Sequence, residues 1–448
     1  MEGKRKILVL GAGRSSSSLI SELLNRSEAN HWQVFVGDVD LDTASVKCGD
    51  HPSAVPFRID PQDATERNEH IASSDLVISM LPAFLHPEIA RVAIDAGVSV
   101  ITPSYLSPEM SALHDDAIRA DVLILNEIGL DPGIDHLSAK LILDRIESEG
   151  GVIEEFESYC GGLIAPESDD NPWHYKFSWN PRNVVLAGQG GSATFLSGGE
   201  TRLVPPHRTF QNPTLIEVDG LEFEGYPNRD SISYESIYGL KGVQTLVRGT
   251  LRGRGYCAGW DSLIQLGCVR DDVSLNWPSG ISWADWMRTF IPSELMNLTI
   301  RDGLRELLAL DAPTLDRLEW LGLFDETSGP KKLQGTPAQI LQSLLEERWK
   351  LQPNDRDMIV MWHRFNYLLK GERHEIISSF RLEGRDAVYT GMSDTVGWPI
   401  AIAAEAFMQG RFSQRGVCIP LEESFYSVIM PKLEAMGIRF SESHRRCS

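Results

Sequence analysis

Ile7-Leu8-Val9-Leu10-Gly11-Ala12-Gly13-Arg14-Ser15-Ser16 is a short apolar run that ends abruptly on two glycines and a string of small polar residues. Four apolar residues without polar alternation suit a strand buried on both faces of a parallel sheet. Gly11 permits the tight turn that follows. Gly13 lets the backbone approach a pyrophosphate at the N-terminus of the next helix. Arg14 and Ser15 complete the loop, and Ser16 stands where a third glycine would ease helix–strand packing. The segment is therefore the first strand, loop and helix start of a dinucleotide-binding unit.

The pattern continues outward. Apolar runs at 33–36, 54–58, 76–80, 99–101 and 122–125 alternate with helical segments, of which 18–25, 87–96 and 108–119 stand out. Six strands connected this way predict a Rossmann-type, doubly wound parallel sheet over residues 1–131. The second strand ends in Val36-Gly37-Asp38-Val39-Asp40. A carboxylate there accepts hydrogen bonds from the ribose hydroxyls of NAD and repels the 2′-phosphate of NADP. NAD is the expected cofactor and NADP the alternative, with Asp38 rather than Asp40 deciding. Ser79-Met80-Leu81-Pro82 and Thr102-Pro103-Ser104-Tyr105 end the fourth and fifth strands. They border the crevice where nicotinamide and substrate should lie.

A chain of 448 residues is too long for one core and predicts more than one domain. The formal net charge of −21 argues against binding to nucleic acid or anionic membranes. An anionic small-molecule substrate would need a local cluster of cations working against that field. The six cysteines show no CxxC pair and no metal spacing, as in a reduced cytoplasmic protein. The basic start Lys4-Arg5-Lys6 is followed by only four apolar residues, too few for a signal peptide. No run approaches the length of a membrane span. No metal is expected, and no GxSxG nucleophile elbow appears.

Beyond residue 131 the pattern changes. Residues 132–258 mix strands such as 215–218 with glycine-rich loops, and 356–394 hold a hairpin of runs 358–368 and 375–382 about Lys370-Gly371-Glu372. Together they predict a second α/β domain that binds substrate. Residues 259–355, rich in leucine at helical spacing, read as a helical insertion. Ser158-Tyr159-Cys160-Gly161-Gly162, continuing to Tyr175-Lys176-Phe177-Ser178-Trp179, has little periodicity and reads as a shaped loop.

That stretch closely resembles the central signature of saccharopine dehydrogenases of the glutamate-forming type. Leu130-Asp131-Pro132-Gly133-Ile134-Asp135-His136, Tyr226-Pro227-Asn228-Arg229-Asp230-Ser231 and Arg248-Gly249-Thr250-Leu251-Arg252 agree with the same family, and the resemblance spans nearly the whole chain. It implies reversible oxidation of saccharopine to glutamate and 2-aminoadipate 6-semialdehyde, in lysine metabolism. It also implies that a late helix, 395–448, packs back on the first domain. Fungal members carry an arginine near the Asp38 position and use NADP(H), a pattern from which this chain departs.

The resemblance further implies roles for individual residues. Arg229 and Arg252, with the backbone of Thr250 and Leu251, would hold substrate carboxylates, which suits the planar, bidentate guanidinium. Asp131 would lie beside nicotinamide and substrate, accepting the ammonium or taking part in proton transfer. Ser104 and Tyr105 would touch substrate and cofactor, and Leu130 and Ser178 the cofactor. Cys160 would be a wall or water contact, and Lys176 a general acid or carboxylate ligand. Each has a plainer reading: Arg229 paired with Asp230 or Glu235, Asp131 a turn residue, Cys160 core, Lys176 a stacked structural cation. His136, at a helix start, is a weaker proton-shuttle candidate. The alternatives to this activity are a dehydrogenase forming another C–N-linked amino acid and a silent dinucleotide-binding scaffold. A homodimer is the expected assembly, and the preceding lysine–ketoglutarate step is expected to belong to a separate protein.

Overall fold

The computed structural model describes residues 4–447. The chain divides into two compact units, one comprising 1–150 with 384–440, the other 151–383 with 441–448. The first boundary thus falls after the helix Ile134–Ser148, not at 131, because that buried helix packs with the first unit.

The first unit is built on a seven-stranded parallel sheet. Its first six strands in chain order are β1 (Arg5–Leu10), β2 (Trp32–Asp38), β3 (Ala54–Arg58), β4 (Leu76–Ser79), β5 (Ser99–Ile101) and β6 (Leu123–Leu125). They lie in the order 3-2-1-4-5-6, with the strand reversal between β1 and β4. A seventh strand, Gly416–Cys418, extends the sheet beyond β6 from a part of the chain where no strand was expected. It pairs through Gly416, whose positive φ of 85° suits glycine.

The expected helix 108–119 is broken into Pro108–Ser111 and His114–Arg119, where Leu113 N–H bonds back to Met110 in a tightened turn. Between β2 and β4 two helices escaped the periodicity, Leu41–Cys48 and Ala64–Ala72. Both are polar, so little apolar pattern marks them. Their N-caps do: Asp40 accepts from Asp42 N–H, and Asp63 from Thr65 N–H.

The late helix runs from Gly391 to Met408, two turns longer upstream than the apolar run after Pro399 suggests. Thr390 caps it, and Pro399 sits inside it. It lies against the first helix, Ser17–Asn25, so closely that a Cβ on Gly397 would sit 2.4 Å from Leu19 N. Ser18 Oγ donates to Asp394 across the same contact.

The second unit holds a nine-stranded sheet. At its centre Val152–Ile164 runs parallel to Thr245–Gly253 on one side and antiparallel to Asp357–Leu369 on the other. The stretch from Ser158 to Gly162, expected as a loop, is the middle of this strand. Its residues are buried, so no polar alternation marks it. Its glycine is demanded by packing, since a Cβ on Gly161 would lie 2.6 Å from the Leu251 carbonyl oxygen. Asp357–Leu369 and Glu372–Glu383 form the hairpin, turned by Lys370 and Gly371 at φ 53° and 81°.

The edge beyond Glu372–Glu383 is covered by Ser441–Cys447. The last strand therefore joins the second unit, whereas 395–448 was expected to lie wholly with the first. Between Tyr256 and Arg348 the chain is mostly helical, apart from the short pair Leu275–Asn276 and Gln334–Gly335, around a core of Trp173, Trp260, Trp286 and Trp349. Among the described residues no helix is long and apolar enough to cross a membrane.

Candidate active site

In the first unit the strand reversal between β1 and β4 opens a crevice at the carboxyl ends of the strands. Gly11 has φ +98°, and its missing Cβ would lie 3.0 Å from the Met80 carbonyl oxygen, so only glycine fits the turn. At Gly13 a Cβ would meet nothing within 4 Å, which leaves backbone open to a ligand. Ser16, in place of a third glycine, turns its hydroxyl onto the Gly13 carbonyl at 2.8 Å. Arg14 and Ser15 lie exposed and half-exposed on the 3₁₀ turn between them.

The two acidic residues that end β2 separate cleanly. Asp40 caps the helix Leu41–Cys48, accepting from Asp42 N–H and the Thr43 hydroxyl. Asp38 instead faces the glycine loop, with Oδ2 accepting from Ala12 N–H at 2.7 Å and Oδ1 from Asp40 N–H at 3.1 Å. Its carboxylate is thus fixed at the end of the second strand, where a ribose would meet it. Open backbone at Gly13 and a held carboxylate at Asp38 fit a dinucleotide.

Further along the same edge, Tyr105 Oη donates to Asp131 Oδ1 at 2.8 Å, and both residues are half-buried. The loops that carry them are tied from below. Glu127, buried, accepts from Leu106 N–H at 2.8 Å and holds His136 Nε2 at 2.7 Å. Asp135 accepts from Gly133 N–H at 2.6 Å. His136 is fully buried against Glu127, a fixing group beneath the loop rather than a solvent-facing proton shuttle. The Leu130 side chain is buried in the core, and Leu81 is half-buried beyond β4.

One residue of this edge escaped sequence reasoning. His86, buried at the start of the helix His86–Ala96, joins Ser79 Oγ through Nδ1 at 2.9 Å and Ser104 Oγ through Nε2 at 2.7 Å. Burial lowers its pKa to about 4, so the ring is neutral near pH 7. A histidine at a helix start carries no sequence signal of that role. Only the sheet order brings the ends of β4 and β5 to it.

In the second unit, ladder register brings several expected residues together. Thr250 pairs with Cys160 on one side and Tyr226 on the other. Cys160 is buried in the central strand. Arg252 is 3 % exposed, with Nη1 donating to the Leu251 carbonyl at 2.9 Å and Nε buried without a partner. Its guanidinium lies 5.2 Å from the Tyr175 ring and 5.4 Å from that of Tyr256. Burial opposes its charge, and Tyr226, Tyr175 and Tyr256 more than offset this. Arg229 holds a left-handed φ of 57°, and its carbonyl accepts from Thr194 N–H. Close by, Asp230 accepts from Thr194 Oγ1 and Ile232 N–H, and Glu235 from Gly242 N–H.

Lys176 differs from its expected role. Its ammonium is buried between Asp355 at 2.8 Å and Asp170 at 2.9 Å. Burial lowers its pKa, and the two carboxylates outweigh that and raise it, so it is a fixed structural cation. Ser178, two residues on, is buried with Oγ lacking a partner. Among the described residues no group of three or more His, Cys, Asp or Glu could hold a metal ion.

Comparison with known proteins accounts for both units. Residues 7–125 match the saccharopine dehydrogenase NADP binding domain, and residues 129–438 the saccharopine dehydrogenase C-terminal domain. The NADP(+)-dependent, L-glutamate-forming saccharopine dehydrogenase of Saccharomyces cerevisiae is 31 % identical, over 98 % of this chain and 99 % of that protein. The mitochondrial alpha-aminoadipic semialdehyde synthase of Bos taurus is 33 % identical over 98 % of this chain, which spans 48 % of that protein. The chain thus spans about half the length of its mammalian relatives. A solved apo structure of the yeast L-glutamate-forming enzyme superposes with a TM-score of 0.88 at 30 % identity, covering 98 % of this chain and all of that one. The chain belongs to the saccharopine dehydrogenase family.

Proposed function

We propose that this chain catalyses the reversible, dinucleotide-dependent oxidation of saccharopine and water to L-glutamate and 2-aminoadipate 6-semialdehyde. The observation that carries this reading is the Tyr105–Asp131 hydrogen bond at the carboxyl edge of a doubly wound sheet. A bound nicotinamide supplies the acceptor for a hydride from the carbon beside the secondary amine. The remaining chemistry is proton movement. The secondary ammonium loses a proton to free the lone pair that forms C=N, water loses one as it adds to that bond, and on collapse the carbinolamine hydroxyl gives one up while the departing amine gains one. A carboxylate bonded to a phenol, half-exposed, suits such a relay. Asp131 is the proton acceptor in this scheme and Tyr105 its link to the amine, while Ser104, set by His86, orients the reacting carbon.

Saccharopine carries three carboxylates. Arg252, buried among phenol rings with a guanidinium N–H unpartnered, and Arg229 suit their recognition, with Thr250 and Leu251 backbone beside them. Cys160 borders Thr250 as a wall, because nothing in this sequence of steps needs a covalent nucleophile. Lys176 supports the segment that carries Ser178.

For the cofactor we propose NAD over NADP, on the fixed carboxylate of Asp38. The matched domain is described as NADP binding, and the yeast relative is named for NADP(+), so this preference sets the chain apart from both. Purified protein mixed with L-saccharopine and either dinucleotide, followed by nicotinamide absorbance, tests both proposals. Turnover with NAD well above NADP is expected. Turnover mainly with NADP removes the Asp38 proposal alone, and none with either, in folded protein that still binds dinucleotide, removes the substrate.

A further inference from the structure

The helix Leu41–Cys48 sends one side chain back to the glycine loop. Lys47, half-buried in its last turn, donates from Nζ to the Gly13 carbonyl at 2.6 Å and to Ser17 Oγ at 2.6 Å. Asp38 holds the same loop by the Ala12 N–H. A cation and a carboxylate therefore grip consecutive residues of the loop, and they attract one another: Asp38 is the charge that supports the ammonium against burial. An ammonium has three donors, of which these bonds use two.

We propose that Lys47 is a specificity-determining residue of the dinucleotide site, its ammonium offsetting Asp38 so that a 2′-phosphate is disfavoured rather than shut out. This rests on the reading of Asp38 as the residue facing the ribose. A lone carboxylate would leave the subsite at −1 toward a dianionic phosphate. With Lys47 charged, the pair is neutral, and the penalty is that of one unfavourable contact instead of a net repulsion.

The balance depends on pH. Burial lowers Lys47 to about 8, Asp38 pulling the other way, so its charge is lost between pH 7 and 9. The elements packed against its helix carry Glu22 on the first helix, Asp38 at the end of β2 and Arg58 on β3, and the helix itself carries Asp42; of these, Asp38 is the charge that acts on the ammonium. Burial pushes the neighbouring Cys48 thiol up to about 11, outside that window. Lys47→Arg leaves every one of these groups in place and removes only the titration.

The experiment measures the dissociation constants of NADH and NADPH by fluorescence titration on the full chain, at pH 7 and pH 9. It compares wild type, Lys47→Met, Lys47→Gln, Lys47→Arg and Asp38→Asn. At pH 7 the Met and Gln variants are expected to weaken NADPH roughly tenfold more than NADH, the order of one charge interaction at a half-exposed site. Wild type at pH 9 should approach their ratio, while Lys47→Arg keeps its pH 7 ratio at pH 9. Equal weakening of both nucleotides, which a mere brace of the loop gives, overturns the inference, as does a Lys47→Arg ratio that moves with pH like wild type. Asp38→Asn separates the two readings. If it moves the ratio and the Lys47 variants do not, only Lys47 is misassigned; if it does not, the Asp38 reading falls and the inference with it.

Discussion

Asp38 and Asp40 are two residues apart, yet they hold different parts of the chain. Asp40 is committed to a helix cap and Asp38 to the glycine loop. Asp38→Ala is therefore expected to lower the NAD over NADP preference at least tenfold in kcat/KM, whereas Asp40→Ala should leave it within about twofold and cost about 1 kcal/mol of stability through the lost cap. Paired kinetics and denaturant unfolding check this. That Asp38 would lie against the glycine loop was legible because a strand followed by a glycine turn fixes what its neighbour's end must do. His86 was not legible, since its partners come from two other strand ends. Its pKa of about 4 in the fold lies below the ordinary value of about 6.5, so between these the unfolded chain binds more protons. Stability is then full above about pH 6.5 and falls as pH drops toward 4, by about 3 kcal/mol from this group. His86→Gln should flatten that part of the stability–pH curve, and a slope unchanged by the substitution would assign it to other groups.

At the scale of elements, the central strand shows why a glycine pair misled. Gly161 reads as a loop signal in isolation, but it admits the neighbouring strand at Leu251, and Gly249 admits the Tyr159 ring on the same principle, its Cβ position lying 2.3 Å from that ring. Gly161→Ala is expected to destabilise the second unit by about 2–4 kcal/mol, because backbone rather than a flexible side chain must move. It should also raise KM for saccharopine, since Leu251 and Arg252 shift with the strand. Unfolding and saturation kinetics on one preparation measure both. Lys176 joins the segment after Pro172 to Asp355, just before the strand Asp357–Leu369. Lys176→Met should cost about 3 kcal/mol by leaving Asp355 without its cation, with kcat per folded molecule within about threefold. A kcat loss of a hundredfold with unchanged stability would return Lys176 to the reacting groups. The hairpin and the first sheet were legible because their patterns are local; the strand Ser441–Cys447 was not, being polar and defined only by the edge it covers.

For the molecule as a whole, the net charge of −21 opposes the approach of an anionic substrate such as the saccharopine proposed above. Added salt screens that field, so kcat/KM is expected to rise about two- to fivefold from 10 to 150 mM ionic strength, with kcat little changed. A fall instead would mean that the local arginines govern encounter. The chain passes between its two units at residues 150, 383 and 440. The sheet that begins at Arg5 lacks its outermost strand and the helix Gly391–Met408 until residues 391–418 are made. On the ribosome, the unit begun first is therefore completed after most of the other has emerged. A nascent chain halted near residue 380 holds the glycine loop, but the first helix it leads into is bare of its partner, which makes such a chain a natural client for a chaperone.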